Sequence, residues 1–213
     1  MSVVILDAAN GFWGGGAGIV VQGWVLAGTV MAMVSRSQRD PHEAGRRQAD
    51  ARSTPGAGRG RARSGSPIVT GILLGIGIAG FIDESVFHQL LQWHNFYWAT
   101  DPHGRIVSDG LFHVVSTLVL LWGTLRLWFD AAQPGRALLA GILMGAGGFN
   151  GYDGIVQHVL LHLHLVNEHV CAIPDSVANS IGTCPADIPY EIVWITVALL
   201  VFLAGFLLRR RTR

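Results

Sequence analysis

The sequence has no lysine and few charged residues of any kind. Only 14% of its 213 residues are charged, whereas a soluble domain usually carries about 25%. Cysteine is equally scarce, and two cysteines exclude a small fold built from several disulfides. The low charge and a hydrophobic content of 50% exclude disorder over most of the chain. The net charge of +1 gives no reason to expect a nucleic-acid partner.

Five long apolar runs hold most of the hydrophobic residues. They span roughly residues 12–34, 68–98, 111–129, 137–165 and 188–208. A helix rises about 1.5 Å per residue, so about 20 residues cross a hydrocarbon core of about 30 Å. The runs predict an all-α integral membrane protein. We expect an N-terminal transmembrane helix within residues 1–34 and a four-helix transmembrane bundle over residues 68–208.

Arginine marks the segments outside the apolar runs. Residues 35–67 contain eight of the 15 arginines and almost no apolar side chains, which predicts a disordered cytoplasmic linker. Residues 209–213 form a basic cytoplasmic tail. With the N-terminus outside, five alternating spans leave every arginine except Arg105 on the cytoplasmic side. The positive-inside rule therefore predicts the same orientation as the number of spans.

Both cysteines, Cys171 and Cys184, fall in the predicted outer loop 166–187. An oxidising outer compartment permits a disulfide there. We expect a structural bond that closes a short loop. The spacing of the two residues is not that of a metal-binding or redox CxxC pair.

Residues 71–94 and 141–164 repeat each other at an offset of 70 residues. Eleven of the 24 aligned positions are identical, including glycines in GxxxG spacing that favour close helix packing. The identical ionisable pairs are Asp83/Asp153, His88/His158 and His94/His164. Such residues are rare in lipid, so their recurrence is informative. A weaker match at an offset of 78 relates the spans that follow. The bundle is therefore predicted to consist of two parallel two-helix repeats.

The recurring aspartates and histidines predict a metal centre near the outer end of the bundle. A charged residue at the middle of a span costs about 2.5–3.5 kcal/mol and is functional by default. Imidazole suits zinc, copper and iron, and carboxylates shift the preference towards zinc, iron or manganese, so the choice among copper, zinc and iron stays open. The candidate metal ligands are Asp83, His88, His94, Asp109, His113, Asp153, His158, His162 and His164.

A straight α-helix does not bring each ligand set to one point. At about 100° per residue, Asp83 and His94 fall within about 20° of each other, whereas His88 lies on another face. We therefore expect two centres, a distorted helix, or ligands from the other repeat. His158 and His162, four residues apart, form the simplest local ligand pair.

Three motifs carry a resemblance to a known family. They are GFIDESVFHQLLQWHNFYW, DGLFH and YDGIVQHVLLHLH. Over roughly residues 68–208 the chain resembles the bacterial membrane proteins of domain of unknown function 2243. The resemblance implies a multi-pass protein of the bacterial inner membrane and an association with respiratory-oxidase or copper-handling proteins. The chain departs from the family pattern at Glu84, where the family has glycine, and at Val159 and Leu165, where it has paired histidines.

Several functions stay open at this stage. The first is a metalloprotein with an Asp/His centre, which as an enzyme would be an oxidoreductase rather than a hydrolase. Haem b ligation by histidines on facing helices is the second. A non-enzymatic metal carrier or oxidase-assembly factor is the third, and a structural hydrogen-bond network the fourth. The lipid bilayer is the expected partner, and a homo-oligomer is left open.

Overall fold

A computed structural model describes residues 27–31, 66–129, 135–171 and 184–211. Helices cover 81% of these residues, and no strand occurs among them. Residues 27–31 are helical, and the Thr29 hydroxyl contacts the Thr124 hydroxyl. The rest of the predicted N-terminal span and nearly all of the predicted linker lie outside the described residues. The prediction of an all-helical protein is confirmed for the described part.

Four long helical segments follow one another along the chain. Helix α1 covers Pro67–Ile82 and continues as a π-helix, π1, over Asp83–Leu90. Helix α2 covers Pro102–Phe129. Helix α3 covers Arg136–Tyr152 and continues as π2 over Asp153–Leu160. After a short 3-10 turn at Glu168–Val170, helix α4 covers Ile188–Arg210. Prolines in the first turns of α1 and α4 suit these positions, because the backbone N–H that proline lacks has no partner there.

Three of the segments are long and apolar enough to cross a membrane: Pro67–Leu90, Pro102–Phe129 and Ile188–Arg210. The segment Arg136–Leu160 is of similar length but is not among them, because it contains many glycines and several polar residues. The second span begins at Pro102, earlier than the predicted residue 111. Asp109 therefore lies within α2, and the loop between π1 and α2 is shorter than expected.

Helices α1 and α3 pack face to face through glycine. A Cβ atom added at Gly71 or Gly75 would overlap the carbonyl groups of Leu138 and Ile142, respectively. Gly141 and Gly145 meet α1 in the same way, at the carbonyl groups of residues 68 and 72. Only glycine allows two helix backbones to approach this closely. The GxxxG prediction of close helix contact is therefore confirmed.

Some apolar side chains form a buried core, whereas others are exposed on the surfaces of the helices. Leu74, Leu120, Leu127 and Leu138 form a buried cluster towards the end of the bundle where α1 and α3 begin. Helix α4 buries little of its length, and large side chains such as Ile192 and Leu200 are exposed. A surface this apolar is expected to face lipid or another protein rather than water.

Candidate metal centre

Both π-helices begin at the aspartate that was singled out in the sequence. Leu91 N–H donates to the Val86 carbonyl, and Leu161 N–H donates to the Val156 carbonyl, at 2.8 Å each, which are i to i+5 bonds. In an α-helix, residues five apart point about 140° away from each other. The wider π-turn places them nearly above one another, so Asp83 meets His88 and Asp153 meets His158. Such π-segments are rare and often occur at functional sites.

The chain then turns back towards each aspartate. Gln92 and His162 adopt positive φ angles of 52° and 51°, which are uncommon for residues other than glycine. Beyond them, Trp93 N–H donates to the Phe87 carbonyl at 2.8 Å, and Leu163 N–H to the Gln157 carbonyl at 2.9 Å. These turns return the second histidine of each set to its aspartate.

The first Asp-His-His group consists of Asp83, His88 and His94, and all three side chains are buried. Both Nε2 atoms face the carboxylate: His88 Nε2 lies 3.6 Å from Asp83 Oδ2, and His94 Nε2 lies 3.6 Å from Asp83 Oδ1. Neither Nε2 atom has a hydrogen-bond partner among the described residues, and Asp83 Oδ1 also lacks one. Three atoms of this group that could bind a metal therefore have no hydrogen-bond partner among the described residues.

The second Asp-His-His group consists of Asp153, His158 and His164, and it is tighter. His158 Nε2 lies 3.0 Å from Asp153 Oδ2, and His164 Nε2 lies 3.5 Å from Asp153 Oδ1. The two Nε2 atoms are 2.9 Å apart, which is hydrogen-bonding distance. Gln157 also donates its amide to Asp153 Oδ1 at 2.8 Å. Hydrogen bonds within the protein thus satisfy part of this group.

The other ring nitrogen of each histidine lies within 3.2 Å of an oxygen atom. His94 Nδ1 donates to the Val166 carbonyl at 2.8 Å, and His164 Nδ1 donates to the Phe96 carbonyl at 2.9 Å. A carbonyl only accepts, so the proton sits on Nδ1 and the lone pair of Nε2 points at the aspartate. An imidazole fixed in this way through its distal nitrogen is the usual arrangement around a protein-bound metal.

The remaining two histidines contact carboxylates through Nδ1. His88 Nδ1 lies 3.2 Å from both Glu84 Oε2 and Asp109 Oδ1. His158 Nδ1 lies 3.1 Å from Glu191 Oε1. Carboxylates in this position orient the ring and increase the basicity of its other nitrogen. Each Asp-His-His group therefore has one histidine backed by a carbonyl and one backed by carboxylate.

Two further aspartates fasten the loops that carry these carbonyls. Asp109 accepts the Phe96 N–H and the Asn95 side-chain amide, each at 2.7 Å. Asp187 accepts the Val166 and Asn167 N–H groups at 3.2 and 2.9 Å. These hydrogen bonds hold each loop in place close to the carbonyl group that accepts from a histidine Nδ1.

Three predicted ligands lie outside the two groups. Asp109 contacts His88 and the loop but neither group's aspartate. His113 lies 3.8 Å from Glu84, a carboxylate at the edge of the first group. His162 is exposed, and its Nδ1 lies 3.0 Å from the His158 carbonyl. The two imidazoles do not form the expected pair, because π2 ends at Leu160 and His162 has a positive φ. The other six predicted ligands form the two groups.

The ligand prediction omitted the supporting carboxylates Glu84 and Glu191. Both are ionisable residues inside apolar helices, and that signal could have identified them. The two carbonyl partners carry no sequence signal, because every residue has a carbonyl group. The positions of these carbonyl groups are fixed only when loops that are distant in the sequence come together in the fold.

Two titratable groups in the loop beyond π2 have displaced pKa values. Burial lowers the pKa of His164 to about 4, so its imidazole is neutral at pH 7 and able to act as a ligand. Burial also raises the pKa of Glu168 to about 9, against the opposing effect of nearby Arg105. Glu168 is therefore protonated at pH 7.

The donor atoms fit a small metal ion better than they fit a haem. Two ligands bound about 2.1 Å from a tetrahedral ion lie about 3.4 Å apart, and the Nε2 to carboxylate distances are 3.0–3.6 Å. The imidazole rings contact one another directly, with centroids 4.5–4.8 Å apart. This contact leaves no gap for a macrocycle between them.

The structure also supplies two features around the centre. Cys171 and Cys184 are joined by a disulfide, as expected, and this bond closes the loop before α4. A cavity of about 460 Å³ beside the second group is lined by His158, Glu191 and the exposed His162, among others. His158 is therefore next to an accessible space, although its ring is buried.

Fold and site together define a helical membrane protein with two buried Asp-His-His groups at one end of its helices. The chain belongs to the DUF2243 family of predicted membrane proteins, whose model matches residues 70–212. The match confirms the resemblance that was drawn from the motifs. No curated protein and no solved structure matches the chain.

Proposed function

We propose that this protein is an integral membrane metalloprotein in which each Asp-His-His group holds one transition-metal ion. The observation that carries the proposal is the orientation of the four imidazoles. Each directs Nε2 at an aspartate, while an acceptor contacts its Nδ1. In the first group, His94 presents an unprotonated Nε2 to the buried Asp83 carboxylate, and neither Nε2 atom of this group has a hydrogen-bond partner among the described residues. A structural network has no need of this arrangement, because two acceptors facing each other repel.

Zinc or iron fits the donor set best. Two histidines and one carboxylate with open coordination positions are typical of non-haem iron(II), and three protein ligands plus water are typical of catalytic zinc. Neither group contains the cysteine or methionine that selects copper(I). When bound, such ions supply either one-electron chemistry or a metal-activated water. The tertiary contacts between the groups, with His94 stacked on His164, make the two ions neighbours.

Deep burial favours a resident metal over a carried one. The six ligand residues are 1–4% exposed. A carrier must release its cargo to a partner, which is easier from ligands at the surface. We therefore favour a built-in centre over the metal-carrier alternative.

The transmembrane arrangement is part of the same proposal. We propose that Arg136–Leu160 crosses the bilayer alongside the three more apolar segments, because its glycines pack it against α1. Arg126 Nε donates to Thr70 Oγ1 at 3.4 Å, so the end of α2 lies beside the start of α1. The basic residues at this end support a cytoplasmic location. The metal end and the disulfide would then face the outer compartment of the bacterial inner membrane, where disulfides persist.

Elemental analysis of the detergent-purified full chain tests the proposal. We expect stoichiometric zinc or iron, which the double variant His88→Ala/His158→Ala loses almost completely. The matched control is His103→Ala/His169→Ala, which removes two exposed imidazoles and is expected to retain the metal. An absence of metal after reconstitution with zinc and with iron would refute the proposal and leave a structural network. A Soret band in the absorption spectrum would support haem instead.

A further inference from the structure

A cavity of about 660 Å³ lies between α1 and α4, beside the first Asp-His-His group. Its walls are almost entirely apolar and come from α1, α3 and α4. It follows α4 from Pro189 to Val201, and Asp83 of the first group also lines it. The cavity therefore connects a long apolar channel with a buried carboxylate.

In the other half of the molecule, three phenyl rings stack on one another. Phe96 stacks on Phe112 with ring centroids 5.2 Å apart, and Phe112 stacks on Phe149 at 6.1 Å. At the offsets of 70 and 78 residues, the matching positions on the cavity side are Val166, Tyr190 and Ala79.

Two of the three phenyl rings are thus absent from the cavity side. The third aromatic ring, that of Tyr190, lies against Trp93 at a centroid distance of 5.8 Å. Val166 and Ala79 in place of two phenyl rings leave space for the cavity on this side. Since protein interiors are normally close-packed, a cavity of this size beside the metal centre needs an explanation.

The cavity is continuous with the surface that faces lipid. Val193 and Val197 of α4 line it, and these side chains are 62% and 53% exposed. Ile82 of α1 lines its other edge and is also exposed. A molecule dissolved in the bilayer can enter sideways between these helices. A water-soluble molecule would have to cross apolar surface.

The inner end of the cavity has aromatic walls and one polar group. Phe87 lies edge-on to Trp194, with centroids 5.0 Å apart, and 5.4 Å from Trp93. Asp83 is 3% exposed, and its Oδ1 has no hydrogen-bond donor in the part of the chain that the structure describes. Aromatic edges suit a flat ring, and a carboxylate oxygen suits a hydroxyl donor.

We propose that this cavity binds a membrane-soluble hydroquinone-type molecule, an aromatic ring with hydroxyl groups and a long apolar tail. The tail lies along α4 between Val193 and Val201, and the ring lies among Phe87, Trp93 and Trp194. A ring hydroxyl donates to Asp83. This binding does not require the metal, although it brings the hydroxyl end beside the first Asp-His-His group.

Photocrosslinking in nanodiscs tests this proposal with the full chain. The probe is a hydroquinone whose decyl tail carries a diazirine, and mass spectrometry maps the adducts. We expect adducts on the α4 segment that lines the cavity, which unlabelled decylhydroquinone competes away. Ala79→Phe introduces on the cavity side the phenyl ring that Phe149 has at the matching position. This variant should lower the labelling roughly tenfold or more. The matched control Phe149→Ala changes the opposite side and should leave the labelling unchanged.

Further arms separate the remaining outcomes. Val193→Phe fills the cavity from its exposed edge and should also lower labelling, which keeps the test valid if Ala79→Phe fails to fold. The dimethyl ether of decylhydroquinone lacks a donor and should compete roughly tenfold less well; equal competition would refute the contact with Asp83. Labelling spread over all lipid-facing helices and insensitive to both fillings would refute the site. Labelling of a protein that holds no metal even after reconstitution with zinc and with iron would support the cavity while refuting the metalloprotein.

Discussion

The two Asp-His-His groups have the same ligands in the same order, yet their surroundings differ. In the second group, His158 and His164 lie 2.9 Å apart at Nε2, and the Gln157 amide bonds to Asp153. In the first group, Phe87 occupies the position that matches Gln157. No equivalent bonds occur there among the described residues. The second group can stand as a hydrogen-bonded network, whereas the first leaves Asp83 Oδ1 and both Nε2 atoms without a hydrogen-bond partner among the described residues.

The supporting carboxylates differ as well. His88 has Glu84 from its own helical segment and Asp109 from α2. His158 has Glu191 from α4, while glycine stands where the first group has Glu84. The first group therefore carries more negative charge around the same three ligands. If both groups bind metal, we expect the first group to bind it more tightly than the second group does.

The largest expected effect comes from removing one aspartate at a time. If each group binds its own ion, Asp83→Ala and Asp153→Ala should each lower the metal content from two ions per chain to one, because each loses a ligand. The double variant should bind none. The metal-to-protein ratio in elemental analysis checks this. Complete loss in either single variant would mean that the groups share one ion.

A smaller effect is expected from the carboxylates that back His88 and His158. Glu191→Gln should weaken metal binding by the second group about 10–100-fold, because removing such partners typically costs that much. Glu84→Gln should weaken the first group less, because Asp109 also contacts His88. Competition with a chelator measures both affinities. Equal losses in the two variants would show that Asp109 does not support the ring.

The smallest expected effect is on the pH dependence of stability. It arises from Glu168, a buried carboxyl in the loop beyond π2. Glu168 stands 70 residues after Trp98, on whose ring Arg105 packs at 3.5 Å. Its pKa is raised from 4.5 to about 9, so the folded protein holds a proton that the unfolded chain releases. The contribution of the protonated Glu168 carboxyl to the free energy of unfolding is therefore complete below pH 4.5 and declines as pH rises to 9.

Replacement by glutamine should remove this dependence. Glu168→Gln cannot ionise, so its melting temperature should fall less between pH 6 and pH 9 than that of the unchanged protein. Thermal unfolding in detergent at several pH values measures the difference. If the melting temperatures of the two proteins change with pH in the same way, Glu168 is already ionised at neutral pH.

Much of the fold was predictable because hydropathy is a local property. The four described helices match apolar runs, and the glycines that join α1 to α3 were recognised by their spacing. Their ends were less accurate: α1 with π1 stops at Leu90, eight residues before the predicted end. The difference arises because the residues beyond Leu90 are apolar but form the turn that returns His94.

The sequence identified the residues that form the two groups, but not the geometry of these groups. Six of the nine candidate ligands form the two groups, and His162 does not join them. Its exclusion follows from the positive φ of the turn, which no spacing argument on an α-helix anticipates. Whether these groups bind metal, and whether the two halves arose by duplication, stay predictions.

The sequence by itself determined that the chain is a helical membrane protein and which aspartates and histidines are unusual in it. Both follow from composition along short stretches, because an ionisable residue within an apolar helix is costly wherever the helix packs. Tertiary structure alone decided that each aspartate meets histidines five and eleven residues later. That convergence requires a π-helix, a reversal of the chain and carbonyl groups from a loop 72 residues distant in one half and 68 in the other. It also decided that a cavity lies between α1 and α4 while Phe96, Phe112 and Phe149 stack on one another elsewhere, because a cavity depends on every side chain around it.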